Sequence, residues 1–202
     1  RALKEAVRHG FKSSEINAFL AGLAVLPPPV PLEEYADAHA LDLSAANSFA
    51  SDLFPLLEHT RHGLTFRDEP TETFVRANYA ADEATLQDLA KNLWKRQEFS
   101  VYAATALPGL LSKLKDGKSL FSLAFDERFP ASISSKVGRQ KIRYERLKAA
   151  VQHAVTEENF DQLVHLLVEL STLAAVNERG TKYLLDNPDL VIASNDVDAL
   201  RR

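Results

Sequence analysis

Apolar residues recur at three- and four-residue spacing along most of the chain, which is the period of an α-helix. The first apolar stripe comprises Ile16, Phe19, Leu20 and Leu23. This helix is expected to stop at the rigid stretch 27–31, PPPVP, because proline cannot donate a helical hydrogen bond. A second short helix is predicted from Leu32 to about His39. The pattern predicts a mainly α protein.

A third helix is predicted from Ser44 to His59, with Asp42 or Ser44 as its capping residue. Its apolar face comprises Phe49, Leu53, Leu56 and Leu57. Pro55 lies inside this range and is expected to bend or shorten the helix.

The period then changes from that of a helix to that of a strand. His62 and Gly63 are typical of a turn, and residues 64–67, LTFR, alternate apolar and polar as a half-buried strand does. Asp68 followed by an acid and a proline predicts a new helix, with the Asp68 side chain as its cap. Three helices followed by a β-wing is the element order of a winged-helix domain. The sequence therefore predicts a winged-helix-like domain over residues 1–80.

Only helices are predicted after residue 81. Pro108 is expected to end one helix, and another is expected to begin near Leu110. Two amphipathic segments, 147–155 and 163–174, flank a turn at 156–159 and predict an antiparallel helical hairpin. A further helix is expected to stop near 187–188 and to be followed by a short one. Residues 81–202 are therefore predicted to form stacked helical hairpins in a superhelical array, without a fixed repeat period.

Charge is distributed unevenly, although the net charge is only −4. Residues 13–60 contain seven acids and no Lys or Arg, so the third helix offers Asp52 and Glu58 but no cation. Phosphate contacts supply most of the affinity for duplex DNA, and the sequence therefore argues against DNA binding by this helix. The sign reverses over 136–148. The cations expected to meet any polyanion there are Lys136, Arg139, Lys141, Arg143, Arg146 and Lys148.

A search for catalytic chemistry finds no recognised motif. Residues 117–119 read GKS, but a phosphate-binding loop needs a glycine where Ser112 stands, so a turn between helices, with Ser119 capping the second, is preferred. His59 and His62 lack a third metal ligand at a recognised spacing, and a surface pair is the preferred interpretation. The absence of cysteine excludes disulfides and Cys-type zinc sites. We expect a noncatalytic segment with no metal and no cofactor of its own.

The chain contains no apolar run of the ~18 residues that span a bilayer, and residues 1–12 do not resemble a signal peptide. These features, with the lack of cysteine, predict a cytoplasmic protein without a membrane partner. The chain begins without methionine, and we expect it to be a piece of a longer protein.

The order of parts resembles the signal-transducing STAND nucleotidases, which include NACHT and NB-ARC proteins. The resemblance covers residues 16–79, which end in a wing followed by a helix. Their pattern is an aromatic residue, Arg and an acid at 66–68, and then Phe-Val-Arg at 74–76. In that family a winged helix follows a P-loop module and precedes a helical sensor array. The resemblance implies a regulatory segment that docks on an upstream nucleotide-binding module and senses a protein partner. ATP or ADP would be bound by the longer parent, an ATPase, and assembly into an oligomer on activation is left open.

In that family a histidine at the wing-to-helix junction often contacts the β-phosphate of bound ADP. Two registers place either Arg67 or Asp68 at that position, and neither is histidine. Arg67 could act there as a cation because a guanidinium matches phosphate geometry. Asp68 would need a metal and is better explained as the helix cap. The alternative function is a nucleic-acid-binding regulator that uses the winged helix or the basic segment 136–148.

Overall fold

The structure, a computed structural model, describes residues 7–8 and 10–186. Within these residues it contains nine helices and one two-stranded sheet, which confirms the mainly α class. The helices are α1 (Ser13–Val25), α2 (Leu32–Ala38), α3 (Leu43–Asp52), α4 (Glu69–Asn78), α5 (Glu83–Arg96), α6 (Val101–Lys113), α7 (Gly117–Ala124), α8 (Lys136–Thr156) and α9 (Phe160–Asp186). Strands β1 (Leu57–Thr60) and β2 (Gly63–Phe66) lie between α3 and α4.

The two strands form an antiparallel hairpin in which Leu57 pairs with Phe66 and Thr60 with Gly63. The connection between α1 and α2 adds a short bridge, because Val30 N–H donates to the Leu64 carbonyl at 2.8 Å and Leu64 N–H donates back at 2.7 Å. Gly63 has φ +131°, and a Cβ there would overlap the Val30 carbonyl. The predicted strand is confirmed, with its bounds shifted by one residue, and glycine is required where it begins.

The predicted extension of the third helix to His59 is wrong. α3 ends at Asp52, and Leu57–Thr60 pair with β2 instead. Pro55 has no N–H to donate within a helix, and residues 57–60 pair with residues 63–66 in the hairpin instead. The N-terminal cap of α3 is Asp42, whose Oδ1 accepts from Ala45 N–H at 2.8 Å.

The predicted break at Pro108 is also wrong, because α6 runs through it without interruption from Val101 to Lys113. An internal proline costs about 3 kcal/mol. The same helix buries Leu107, Leu110 and Leu111, each at most 3% exposed, and a buried leucine contributes about 1.5–3 kcal/mol. Burial therefore outweighs the lost hydrogen bond.

One hydrophobic core runs from α1 to α9. α5 packs against α1, α2 and α6, so the core continues across the predicted boundary at residues 80–81. Polar contacts join the same two regions. Asn92 Nδ2 donates to the Ala38 carbonyl at 2.9 Å, and Arg96 forms ion pairs with Asp37 at 2.6 Å and Glu34 at 3.3 Å.

The predicted hairpin of α8 and α9 is confirmed, with Glu158 in the left-handed conformation (φ 51°) in the turn between them. α9 buries Leu166 and Leu173 against its neighbours. A second apolar stripe of the same helix is exposed and comprises Phe160, Val164, Leu167 and Val168. The short helix predicted after Pro188 lies outside the described residues.

Two histidines pack where a glycine leaves room for an imidazole. A Cβ on Gly22 of α1 would overlap the ring of His39, and a Cβ on Gly117 of α7 would overlap the ring of His153. His39 also contacts the ring of Phe19, with ring centroids 4.9 Å apart. Both glycines thus permit close approaches that a larger residue would block.

In the part of the chain that the structure describes, no helix combines the length and the apolar character needed to cross a membrane.

Candidate functional site

The wing junction is the point where β2 passes into α4, at Arg67 and Asp68. The Arg67 N–H donates to the Leu56 carbonyl at 3.1 Å, which fixes the backbone where it leaves the hairpin. The guanidinium carbon of Arg67 lies 5.2 Å from the ring centroid of Phe54, itself 59% exposed. Arg67 is exposed, and among the described residues its side chain has no ion pair. The junction therefore presents a guanidinium that is held by an aromatic ring and can still donate to a ligand.

Asp68 begins α4. Its Oδ1 accepts a hydrogen bond from Thr71 N–H at 2.8 Å, and Glu69 and Glu72 occupy the first helical turn. Hydrogen bonding by Thr71 lowers the pKa of the Asp68 carboxyl below its usual value. The carboxylate is thus engaged at the helix start, and Arg67 is the residue of the pair with donors available for a ligand.

The surface of α3 has no cation. This helix contains no Lys or Arg, its exposed positions include Asn47 and Ser51, and Asp52 lies at its end. Glu58 lies on β1, and not on the helix that was expected to contain it. The structure thus keeps the acidic character expected for this region, on a shorter helix.

The cations of 136–148 lie on α8 and have different environments. Lys136, Arg139, Lys141 and Lys148 are exposed. Arg139 Nε donates to the Ile133 carbonyl at 3.0 Å, and Arg143 forms an ion pair with Glu169 of α9 at 2.8 Å. The segment is therefore not one continuous surface of free cations.

The prediction that Arg146 contacts a polyanion is wrong, because its side chain is 0% exposed. Nη1 donates to the carbonyls of Asp126 and Arg128 at 3.0 and 3.1 Å, and Nη2 donates to Gln97 Oε1 at 3.1 Å. The guanidinium carbon also lies 5.2 Å from the ring centroid of Phe129. Burial lowers the pKa of Arg146. Arg146 joins α8 to the loop before it and to the end of α5.

The two histidines considered as metal ligands do not share a helix. His59 lies on β1, and His62 lies in the hairpin turn, where its Nε2 accepts from Arg61 Nε at 2.9 Å. Among the described residues no group of three or more His, Cys, Asp or Glu side chains could hold a metal ion.

The GKS stretch begins α7 and is preceded by a helix, not by a strand. The cap is Asp116, whose Oδ1 accepts from Ser119 N–H at 3.0 Å, so the prediction of Ser119 as the cap is wrong. Lys115 takes the left-handed conformation that ends α6 (φ 54°). The segment is a turn between helices.

A cleft that the sequence did not indicate brings Lys148 together with two cations from other helices. It has a volume of about 430 Å³ and lies between the end of α1, α4, α6 and α8. Arg76, Lys113 and Lys148 line it, together with one acid, Glu145. Because Arg76 and Lys148 are 72 positions apart in the sequence, only tertiary packing brings them together, and no local pattern could have indicated the cluster.

Compared with known proteins, the chain matches no family model, and no curated protein sequence matches it. The functional interpretation therefore depends on the wing junction, the charge distribution and the packing of the helices.

Proposed function

We propose that this chain is a noncatalytic regulatory segment of a larger cytoplasmic signalling NTPase of the STAND type. In this proposal the winged-helix-like domain predicted over residues 1–80 docks on a nucleotide-binding module, and the following helices contact a protein partner. The element order supports the winged helix. Between α1 and α2, Val30 forms a single β-bridge to Leu64 of the hairpin, and α3, β1 and β2 follow.

The docking proposal depends on the environment of the Arg67 guanidinium. This guanidinium is exposed, lies against the Phe54 ring and forms no salt bridge with a described residue, while its charge also acts on the adjacent Asp68 carboxylate. A guanidinium binds phosphate or carboxylate groups in a planar, two-pronged geometry. Asp68 is engaged in capping α4, so Arg67 is the group at this junction suited to an anion on another module.

The helices after the wing support an array that binds protein. α5 packs on α6, α6 on α7 and α8, and α8 on α7 and α9. Contacts between helices that are consecutive or next but one in the chain are compatible with stacked hairpins. The exposed apolar stripe of α9 adds the kind of surface that marks protein interfaces in soluble proteins. These features support protein recognition as the role of residues 83–186.

The test uses the longer parent protein loaded with ADP. Arg67→Ala should speed ADP release about tenfold, the effect of losing one charge-assisted hydrogen bond, and should raise basal activity. Arg61→Ala is the matched control, since Arg61 is an exposed arginine at the tip of the same hairpin. Unchanged nucleotide release in Arg67→Ala would exclude docking through this junction.

The alternative, a nucleic-acid-binding regulator, has less support. α3 has no cation, and within 136–148 Arg146 is buried and Arg143 is paired with Glu169. Fluorescence anisotropy with duplex DNA and single-stranded RNA at several salt concentrations distinguishes the two functions. Tight binding that is lost steeply with salt would favour the nucleic-acid regulator.

A further inference from the structure

The cleft between α1, α4, α6 and α8 has one apolar and one cationic part. Its apolar wall comprises Val25, Leu26, Pro27, Ala106, Pro108, Leu110 and Ala149. Arg76 comes from α4, Lys113 from the end of α6 and Lys148 from the middle of α8. Gly109 also lines the cleft, and a Cβ at that position would meet no atom within 4 Å. The missing side chain therefore leaves space in the cleft.

The three cations keep donors that no described residue uses. Lys113 Nζ donates to the Val25 carbonyl at 3.0 Å, which leaves two of its three N–H groups available. Lys148 makes no hydrogen bond or ion pair with any described residue. Arg76 uses Nε and Nη2 on Glu72 and keeps Nη1 free. Glu145 is the single acid among the described lining residues, so positive charge predominates there.

The environment of Lys113 disfavours its positive charge. Partial burial, followed by the nearby charge of Arg76, lowers the pKa of Lys113. A bound anion would offset both effects, because it would pair with the ammonium and screen the two cations from each other.

The volume of about 430 Å³ lies within the range of roughly 300–1,000 Å³ found for small-molecule sites. We propose that this cleft binds a small organic anion whose phosphate or carboxylate group contacts Arg76, Lys113 and Lys148. The apolar part of the ligand lies on the apolar wall. The residues that line this cleft do not include Arg67 or Asp68, so anion binding here can be tested independently of docking through the wing junction.

Calorimetric titration of the chain with phenyl phosphate, benzoate and inorganic phosphate, at constant ionic strength, tests the proposal. At least one of the two aromatic anions should bind saturably at a single site and more tightly than inorganic phosphate. The tighter of the two identifies the anionic group. Lys148→Gln should weaken that binding roughly tenfold, because one charge-assisted contact is lost. Gly109→Leu should weaken it similarly by filling the cleft, without a change in charge.

Lys141→Gln is the matched control, since Lys141 is an exposed lysine of the same helix that does not line the cleft. This variant and Arg67→Ala should bind the anion as tightly as the unmodified chain. The proposal is wrong if neither aromatic anion binds, or if Lys141→Gln weakens binding as much as Lys148→Gln. Equal binding by Gly109→Leu would also overturn it.

Discussion

Five other Lys or Arg residues lie within ten positions of Arg146. Of these six cationic side chains, that of Arg146 is the buried one. Its guanidinium donates to two carbonyls and the side chain of Gln97 and lies against the ring of Phe129, and the nearby negative charge of Asp126 also acts on it. Asp126, whose carbonyl accepts from Arg146, also carries a carboxylate that pairs with Arg128 at 2.7 Å. A buried guanidinium is costly unless its donors are satisfied. Here three hydrogen bonds engage Nη1 and Nη2, whereas Nε has no hydrogen-bond partner among the described residues.

Arg146→Ala should lower the free energy of unfolding by about 3 kcal/mol or more. The substitution leaves two partly buried carbonyls and the buried Gln97 side chain without their donor and opens a cavity beside Phe129. Urea denaturation measures the effect. Lys141→Ala removes an exposed cation of the same helix and should change stability by no more than about 0.5 kcal/mol. Equal stability of the two variants would contradict a structural role for Arg146.

His39 predicts a dependence of stability on pH. It lies against the rings of Phe19 and Tyr35, its Nε2 has no hydrogen-bond partner among the described residues, and burial lowers its pKa to about 4. In the unfolded chain its pKa is about 6.5. Between these values the unfolded state binds a proton that the folded state does not, so stability falls as pH falls from about 6.5 to 4. The total contribution is about 3 kcal/mol.

Urea denaturation at several pH values checks this, with His39→Gln compared with the unmodified chain. The variant should lose less stability on acidification, with a slope shallower by up to about 1.4 kcal/mol per pH unit. His59→Gln, which removes an exposed histidine on β1, is the matched control for the substitution itself. Identical slopes for His39→Gln and the unmodified chain would show that His39 titrates normally.

Replacement of glycine by alanine should have opposite effects on stability at positions 63 and 109. Gly63→Ala should destabilise the protein by about 2 kcal/mol or more, because φ is +131° and the new Cβ would meet the Val30 backbone. Gly109→Ala should stabilise it by up to about 1 kcal/mol, because Gly109 is helical and its surroundings are open. Thermal and urea unfolding of both variants measure these changes. Effects of the same sign would contradict this account of the hairpin and of α6.

The features predictable from the sequence are those whose interacting atoms are close along the chain. The side chains of Asp42 and Asp68 each accept a hydrogen bond from the N–H three residues later in the sequence. The alternation of apolar and polar residues that indicates the strand before Asp68 occupies only residues 64–67. The end of α3 was not predictable, because the strand conformation of residues 57–60 depends on their pairing with β2. The same applies to α6, whose passage through Pro108 depends on burial against other helices.

The features of the candidate site were likewise predictable only where they depend on residues close in the sequence. The position of Arg67 at the junction follows from the local pattern, whereas Phe54 beneath it and the cleft around Lys113 depend on distant packing. The burial of Arg146 had no local signal either, since its acceptors are 18 to 49 positions away.

The hydrophobic core that continues from α1 to α9 predicts cooperative unfolding. Tyr102 OH donates to the Pro27 carbonyl at 2.9 Å, and Asn92 donates to Ala38, so the wing-bearing part and the later helices are also joined by polar bonds. Fluorescence of Trp94, the one tryptophan of the chain, reports on α5. We expect its transition in urea to coincide with that of far-UV circular dichroism. Two separate transitions would show that the two parts unfold independently.

The pairs Gly22 with His39 and Gly117 with His153 limit how homologous sequences can diverge. A residue larger than glycine at position 22 requires a smaller or differently shaped residue at 39, because both side chains would occupy the same space. The same reciprocity links positions 117 and 153. In an alignment of natural homologues these two pairs should therefore change together, and a lineage that loses one histidine is free to lose its glycine as well.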